Sequence, residues 1–120
     1  MRYFCYTFGD ESEPVPEPSP ELQSRMGRYI EESARAGVLA ATGAFGPTAL
    51  GAKITLADGE FTVTDGPFTE AKELVGGWAL IDVPGREDAV DSVKQFLSIL
   101  GRGEYRVRPV FGPDDVAPGG

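Results

Sequence analysis

Asp65, Glu70, Lys72 and Glu73 are the residues of this chain best suited to acid–base chemistry, because they gather carboxylates and an amine around the Gly66-Pro67 turn. A lysine between two glutamates shifts the pKa of each partner, so one carboxylate can act as base while the ammonium stabilises a developing anion. Proton abstraction of the lyase or isomerase kind would suit this set, with Asp65 or Glu70 as the base and Lys72 on the anion. The same residue types also serve turns for local reasons. Asp65 can cap a turn, Glu70 can meet the positive end of a helix, and Lys72 can form a surface ion pair.

Other candidates are narrower. The chain has no histidine and a single cysteine, Cys5, which excludes His-based triads, His-ligated metals, an intrachain disulfide and a zinc site of several thiolates. No neighbouring cation in the sequence depresses the Cys5 thiol, so it reads as a core residue. Arg28 could hold an anion, although it shares a helical face with Glu21, Arg25, Glu32 and Arg35, and a solvated ion-pair ladder explains that spacing more simply. Phe68 and Trp78, with Tyr3, Tyr6 and Tyr29, could line a ligand pocket, or they could be plain core aromatics. Gly43, Gly46 and Gly51 match no phosphate-loop spacing. No cofactor and no metal is expected from these patterns.

These residues need a scaffold, and the composition allows one domain. The chain has 120 residues, of which 41% are hydrophobic, and a formal net charge of −8. Such charge opposes phosphate neutralisation and repels anionic membranes, so neither nucleic acid nor a membrane is an expected partner. There is no apolar run of about 20 residues and no signal-peptide pattern, and a soluble cytoplasmic protein is the expectation. The domain is expected over residues 1–110, with 111–120 as a loose tail.

Along the chain, 2–8 is aromatic and apolar on both alternating faces, as an inner strand is, and Pro14, Pro16, Pro18 and Pro20 mark an exposed loop from Gly9 to Pro20. Ser19 and Pro20 open a helix that Gly37 closes. Residues 38–45 form a strand. Asp58-Gly59 then predicts a type I′ hairpin pairing Leu56 with Phe61 and Ile54 with Val63, apolar on one face and half-buried. Thr69 is expected to cap a short helical turn through Leu74 that Gly76-Gly77 ends. A strand over 78–83, a helix over 87–100 closed by Gly101, and a strand over 105–110 complete the order. Without the hairpin this order is βαββαβ, the ferredoxin-like arrangement, an α+β fold with both helices on one sheet face. The other face needs a cover, and a symmetric homodimer, sheet against sheet, supplies it.

The stretch from Val63 through Asp65-Gly66-Pro67-Phe68-Thr69-Glu70-Ala71-Lys72-Glu73 to Gly76-Gly77-Trp78 and Val83 resembles the signature of the DGPF branch of the YCII-related proteins. Phe8-Gly9-Asp10-Glu11, Ala36-Gly37-Val38-Leu39 and Val107-Arg108-Pro109-Val110 are similar to the flanking elements. The resemblance implies a dimeric α+β barrel and a mostly uncharacterised bacterial family, often encoded beside extracytoplasmic-function sigma factors. Distant relatives include a dehydrochlorinase, and some carry a His-Asp pair whose histidine this chain lacks. Two functions follow as expectations. One is a small-molecule-binding or regulatory accessory protein with such a sigma factor as a partner; the other is the lyase or isomerase described above.

Overall fold

The computed structural model describes residues 1–10, 13, 17–67 and 73–115, with the backbone alone for 73–75. Along it run β1 (Arg2–Gly9), α1 (Pro20–Arg35), β2 (Leu39–Ala44), β3 (Ala52–Ala57), β4 (Glu60–Asp65), β5 (Glu73–Asp82), α2 (Arg86–Leu100) and β6 (Tyr105–Val110). The four-stranded sheet has the order β2-β5-β1-β6, and β3-β4 form a separate two-stranded sheet. Every pairing is antiparallel. Removing the hairpin leaves the ferredoxin-like α+β arrangement, with the first and third strands of the βαββαβ unit at the centre of the sheet.

Local chemistry starts and stops the helices. The Ser19 hydroxyl accepts from the Leu22 amide at 3.1 Å, and Pro20 occupies the first turn, where its missing N–H costs nothing. Helix α2 begins at Gly85, whose amide donates to the Asp88 carboxylate at 3.1 Å. It ends at Gly101, which takes the left-handed conformation at φ 86°.

Strand alternation divides the sheet into two faces. Tyr3 and Cys5 of β1 point with Ile81, Tyr105 and Val107 toward the helices, and Ala89 of α2, fully buried, packs against Tyr3, Cys5, Ile81 and Val83. On the opposite face Phe4 stacks on Tyr6 with centroids 5.5 Å apart, Trp78 lies 5.8 Å from Phe4, and the Arg106 guanidinium sits 3.9 Å over the Phe8 ring. Among the described residues no helix covers this second face.

Two expectations are corrected here. The helical turn expected up to Leu74 is strand at its described end, since Glu73 pairs with Gly9 and Leu74 with Phe8 in β5; Thr69 to Lys72 lie outside the described residues. Gly76-Gly77 is accordingly no stop but a β-bulge within β5, with Gly76 at φ 71° and the Thr7 hydroxyl donating to the Gly77 carbonyl at 2.8 Å. Pairing along β1 satisfies backbone groups that an isolated turn would leave to solvent, and it overrides local propensity.

The hairpin has the expected register, Leu56 to Phe61 and Ile54 to Val63, with Asp58 and Gly59 both at positive φ as type I′ requires. It is not half-buried. Ile54, Leu56, Phe61 and Val63 are each more than 60% exposed, because the hairpin stands away from the sheet as an arm.

Candidate functional site

A cavity of about 1020 Å³ lies between the helices and the sheet. Its origin is the uneven seating of the two helices. Ala89 brings α2 into direct contact with the sheet, whereas no residue of α1 is buried, and the inward side chains Leu22, Met26, Tyr29 and Ile30 remain half-buried over the gap. The floor is β1 and β5 with Cys5, Thr7, Ala79 and Ile81, and Val93 and Phe96 of α2 close one side. Phe96 is held by rings on both sides, Tyr29 at 6.1 Å and Tyr105 at 5.6 Å between centroids. The lining is therefore mainly aliphatic and aromatic, the surface that favours an apolar ligand.

Three hydroxyls in this lining share one feature. Thr7 donates to the Gly77 carbonyl at 2.8 Å, Tyr29 to the Ser92 carbonyl at 2.9 Å, and Thr42 to the Trp78 carbonyl at 2.8 Å. Each hydroxyl has committed its proton to backbone, so what it can offer a ligand is an acceptor lone pair. Charged lining residues Glu13, Glu17, Arg102 and Glu104 are exposed, which places charge where the cavity opens to solvent.

Titration fits binding better than nucleophilic chemistry. Burial pushes the Cys5 thiol up to about 11, the reverse of what an activated nucleophile needs. Burial also raises the Tyr29 phenol, with a hydrogen bond to Ser33 acting in the opposite direction. Among the described residues no three His, Cys, Asp or Glu side chains gather as a metal site, and no helix is long and apolar enough to cross a membrane.

The residues singled out from the sequence fall in different places. Trp78 borders the cavity, although its indole packs beside Phe4 on the open face. Asp65 ends β4 and is exposed, away from the cavity lining, and Arg28 is exposed on α1. Glu73 lies in β5 opposite Gly9, with no described side chain, and Phe68, Glu70 and Lys72 lie outside the described residues. Sequence reasoning missed Thr7, Ser33, Thr42 and Phe96 as lining. The available signal was Ser33, a small polar residue on the inward stripe of α1 where a packed helix carries an apolar one.

Compared with known proteins, the chain matches the YCII-related domain over residues 1–112. It is also 33% identical over 91 residues to an uncharacterized protein of Rhizobium meliloti, an alignment spanning 75% of this chain and 70% of that protein.

Proposed function

The chain belongs to the YCII-related family, and from that premise we propose that it is a small-molecule-binding accessory protein whose ligand occupies the cavity between helices and sheet. One observation carries the reading: a space of about 1020 Å³, walled by aliphatic and aromatic side chains, in which Thr7, Tyr29 and Thr42 donate their hydroxyl protons to backbone. Binding sites of small organic molecules commonly span roughly 300 to 1,000 Å³. The ligand class is an apolar, ring-bearing molecule with a hydroxyl or amine N–H that donates to Thr7, Thr42 or Tyr29.

Two further parts of the proposal rest on other grounds. The uncovered aromatic face of the sheet supports a homodimer, because a soluble monomer seldom leaves such a face to water. A regulatory association with an extracytoplasmic-function sigma factor rests on the resemblance of the Val63–Val83 stretch to a family often encoded beside such factors. The lyase or isomerase alternative, built on Asp65, Glu70, Lys72 and Glu73, draws no support from Asp65, which is exposed and outside the cavity lining.

N-phenyl-1-naphthylamine, an uncharged fluorophore with aromatic rings and one N–H donor, is the probe for this test. Its emission should rise saturably to one equivalent per chain. Ile30→Trp, which fills the cavity from α1, should abolish that rise while leaving the far-ultraviolet circular dichroism and Tm unchanged. A probe that fails to saturate, or that binds Ile30→Trp as well as the parent, would remove the proposal.

A further inference from the structure

Among the described residues of one chain, two apolar surfaces are left open. One is the arm, where Ile54, Leu56, Phe61 and Val63 share a face and are 61–73% exposed. The other is the open face of the sheet, where Phe4, Phe8, Trp78 and Leu80 are half-buried and Val110 of the edge strand β6 is 37% exposed. The arm alone presents on the order of 500 Å² of apolar side chain, at or above what a soluble monomer ordinarily tolerates in one patch. Its strands hydrogen-bond to each other as a separate sheet, so the arm does not shield the sheet of its own chain.

Charge distinguishes which surface suits the arm. Its tip carries Asp58 and Glu60 and its base Asp65, against Lys53 alone. The open sheet face in turn carries Arg2, Arg106 and Arg108, by the alternation that places Tyr3, Cys5 and Val107 under the helices. Asp82 on that face is taken by the amino terminus at 3.2 Å, and Arg106 also meets Glu104 at 3.1 Å. In a chain of net charge −8 this is a local cationic strip, and it runs along the β1–β6 border.

We propose that the β3–β4 arm of each protomer lies across the β6 margin of a second copy's open sheet face, with its apolar side on Phe4 and Val110 and its acidic tip on Arg106 and Arg108. The rest of each sheet faces the other, and the two arms flank that contact. Reciprocal arms with the surfaces they cover would bury roughly 2,000 Å² in total, the range of stable dimers. Apolar burial supplies affinity, and the charged strip fixes which margin each arm takes. The inference rests on the homodimer proposed above.

The test is chosen to separate the two. Full-length protein carrying the photo-cross-linker p-benzoylphenylalanine in place of Phe61, which is 73% exposed and so tolerant of change, is irradiated at micromolar concentration. The expected product is a covalent dimer whose linked peptide comes from residues 2–9 or 105–110. If the unirradiated protein sediments as a dimer but the cross-links fall within one chain or on the partner's helices, the arm proposal fails and the pairing stands. Sedimentation of the parent protein as a monomer defeats both. Charge gives an independent readout in the same instrument. Asp58→Lys with Glu60→Lys, or Arg106→Glu with Arg108→Glu, should each weaken the dimer by about tenfold or more, and all four changes together should recover most of the loss. A combined variant no tighter than either pair would overturn the assignment of tip to strip.

Discussion

Cys5 shows how burial decides the chemistry of a reactive side chain. Three per cent of its surface is exposed, and desolvation moves its pKa from 9.0 to about 11. The folded state thus keeps the thiol proton at a pH where the unfolded chain has lost it. The resulting stabilisation is full below pH 9 and falls as pH rises through the window toward 11. We predict that the Tm advantage of the parent over Cys5→Ala shrinks between pH 9 and pH 11 in thermal scans, and a constant difference would show that the thiol titrates normally. Iodoacetamide should also modify Cys5 at pH 8 much more slowly in the native protein than in guanidinium. Tyr29 illustrates a second residue-scale effect. Its hydroxyl ties α1 to the Ser92 carbonyl of α2, so Tyr29→Phe should cost about 1 kcal/mol in urea unfolding.

Among the elements, the arm and α1 are the least anchored. The type I′ turn at Asp58-Gly59 holds φ at 51° and 76°, and a β-branched residue in that region is strained by about 1–2 kcal/mol. Because the arm makes its own two-stranded sheet, Gly59→Val should accelerate amide exchange over 52–65 while leaving β1 and β5 unchanged. Equal acceleration in the central strands would mean that the arm is part of the cooperative core. Helix α1 keeps no buried side chain above the cavity, whereas α2 is seated through Ala89. Amides of α1 should therefore exchange faster than those of α2, and saturation with N-phenyl-1-naphthylamine should protect α1 most, since the ligand would supply the missing packing. Protection confined to α2 or to the arm would point to a different site.

At the scale of the molecule, a small core works together with a large open surface. The buried cluster of Tyr3, Cys5, Ile81, Val83 and Ala89 joins α2 to the sheet, while much apolar area remains on the arm and the open face. Stability of the single chain should consequently depend on protein concentration, with Tm rising on concentration if a second copy binds only the folded state. Residues 112–115 contribute little to this core. Residues 113–115 form an exposed turn closed by the Gly112 amide on the Asp115 carboxylate at 2.6 Å. Deleting 113–120 should leave Tm within about 2 °C, and a larger loss would place part of that segment in the folded unit.

The sequence by itself determined the elements and their order. Ser19-Pro20 with Gly37, Asp58-Gly59 and Gly101 set boundaries through caps and positive φ, which are local effects within a few residues, and the strand at Tyr105–Val110 follows from composition and spacing. The alternation of β1 likewise assigned Phe4, Tyr6 and Phe8 to one face and Tyr3 and Cys5 to the other. Only the tertiary structure decided what each face meets. Glu73 and Leu74 are strand because β1 lies beside them, a partner more than 60 positions away. The arm's apolar side was legible as a pattern, but its exposure depends on where the arm points, which no local periodicity encodes. The cavity was hidden for the same reason: apart from Ser33 the inward stripe of α1 is an ordinary apolar one, and the space beneath it exists only because Ala89 seats α2 closely while α1 stands off. Caps, turns and alternation act over a few residues, whereas packing distance is set jointly by side chains remote in sequence.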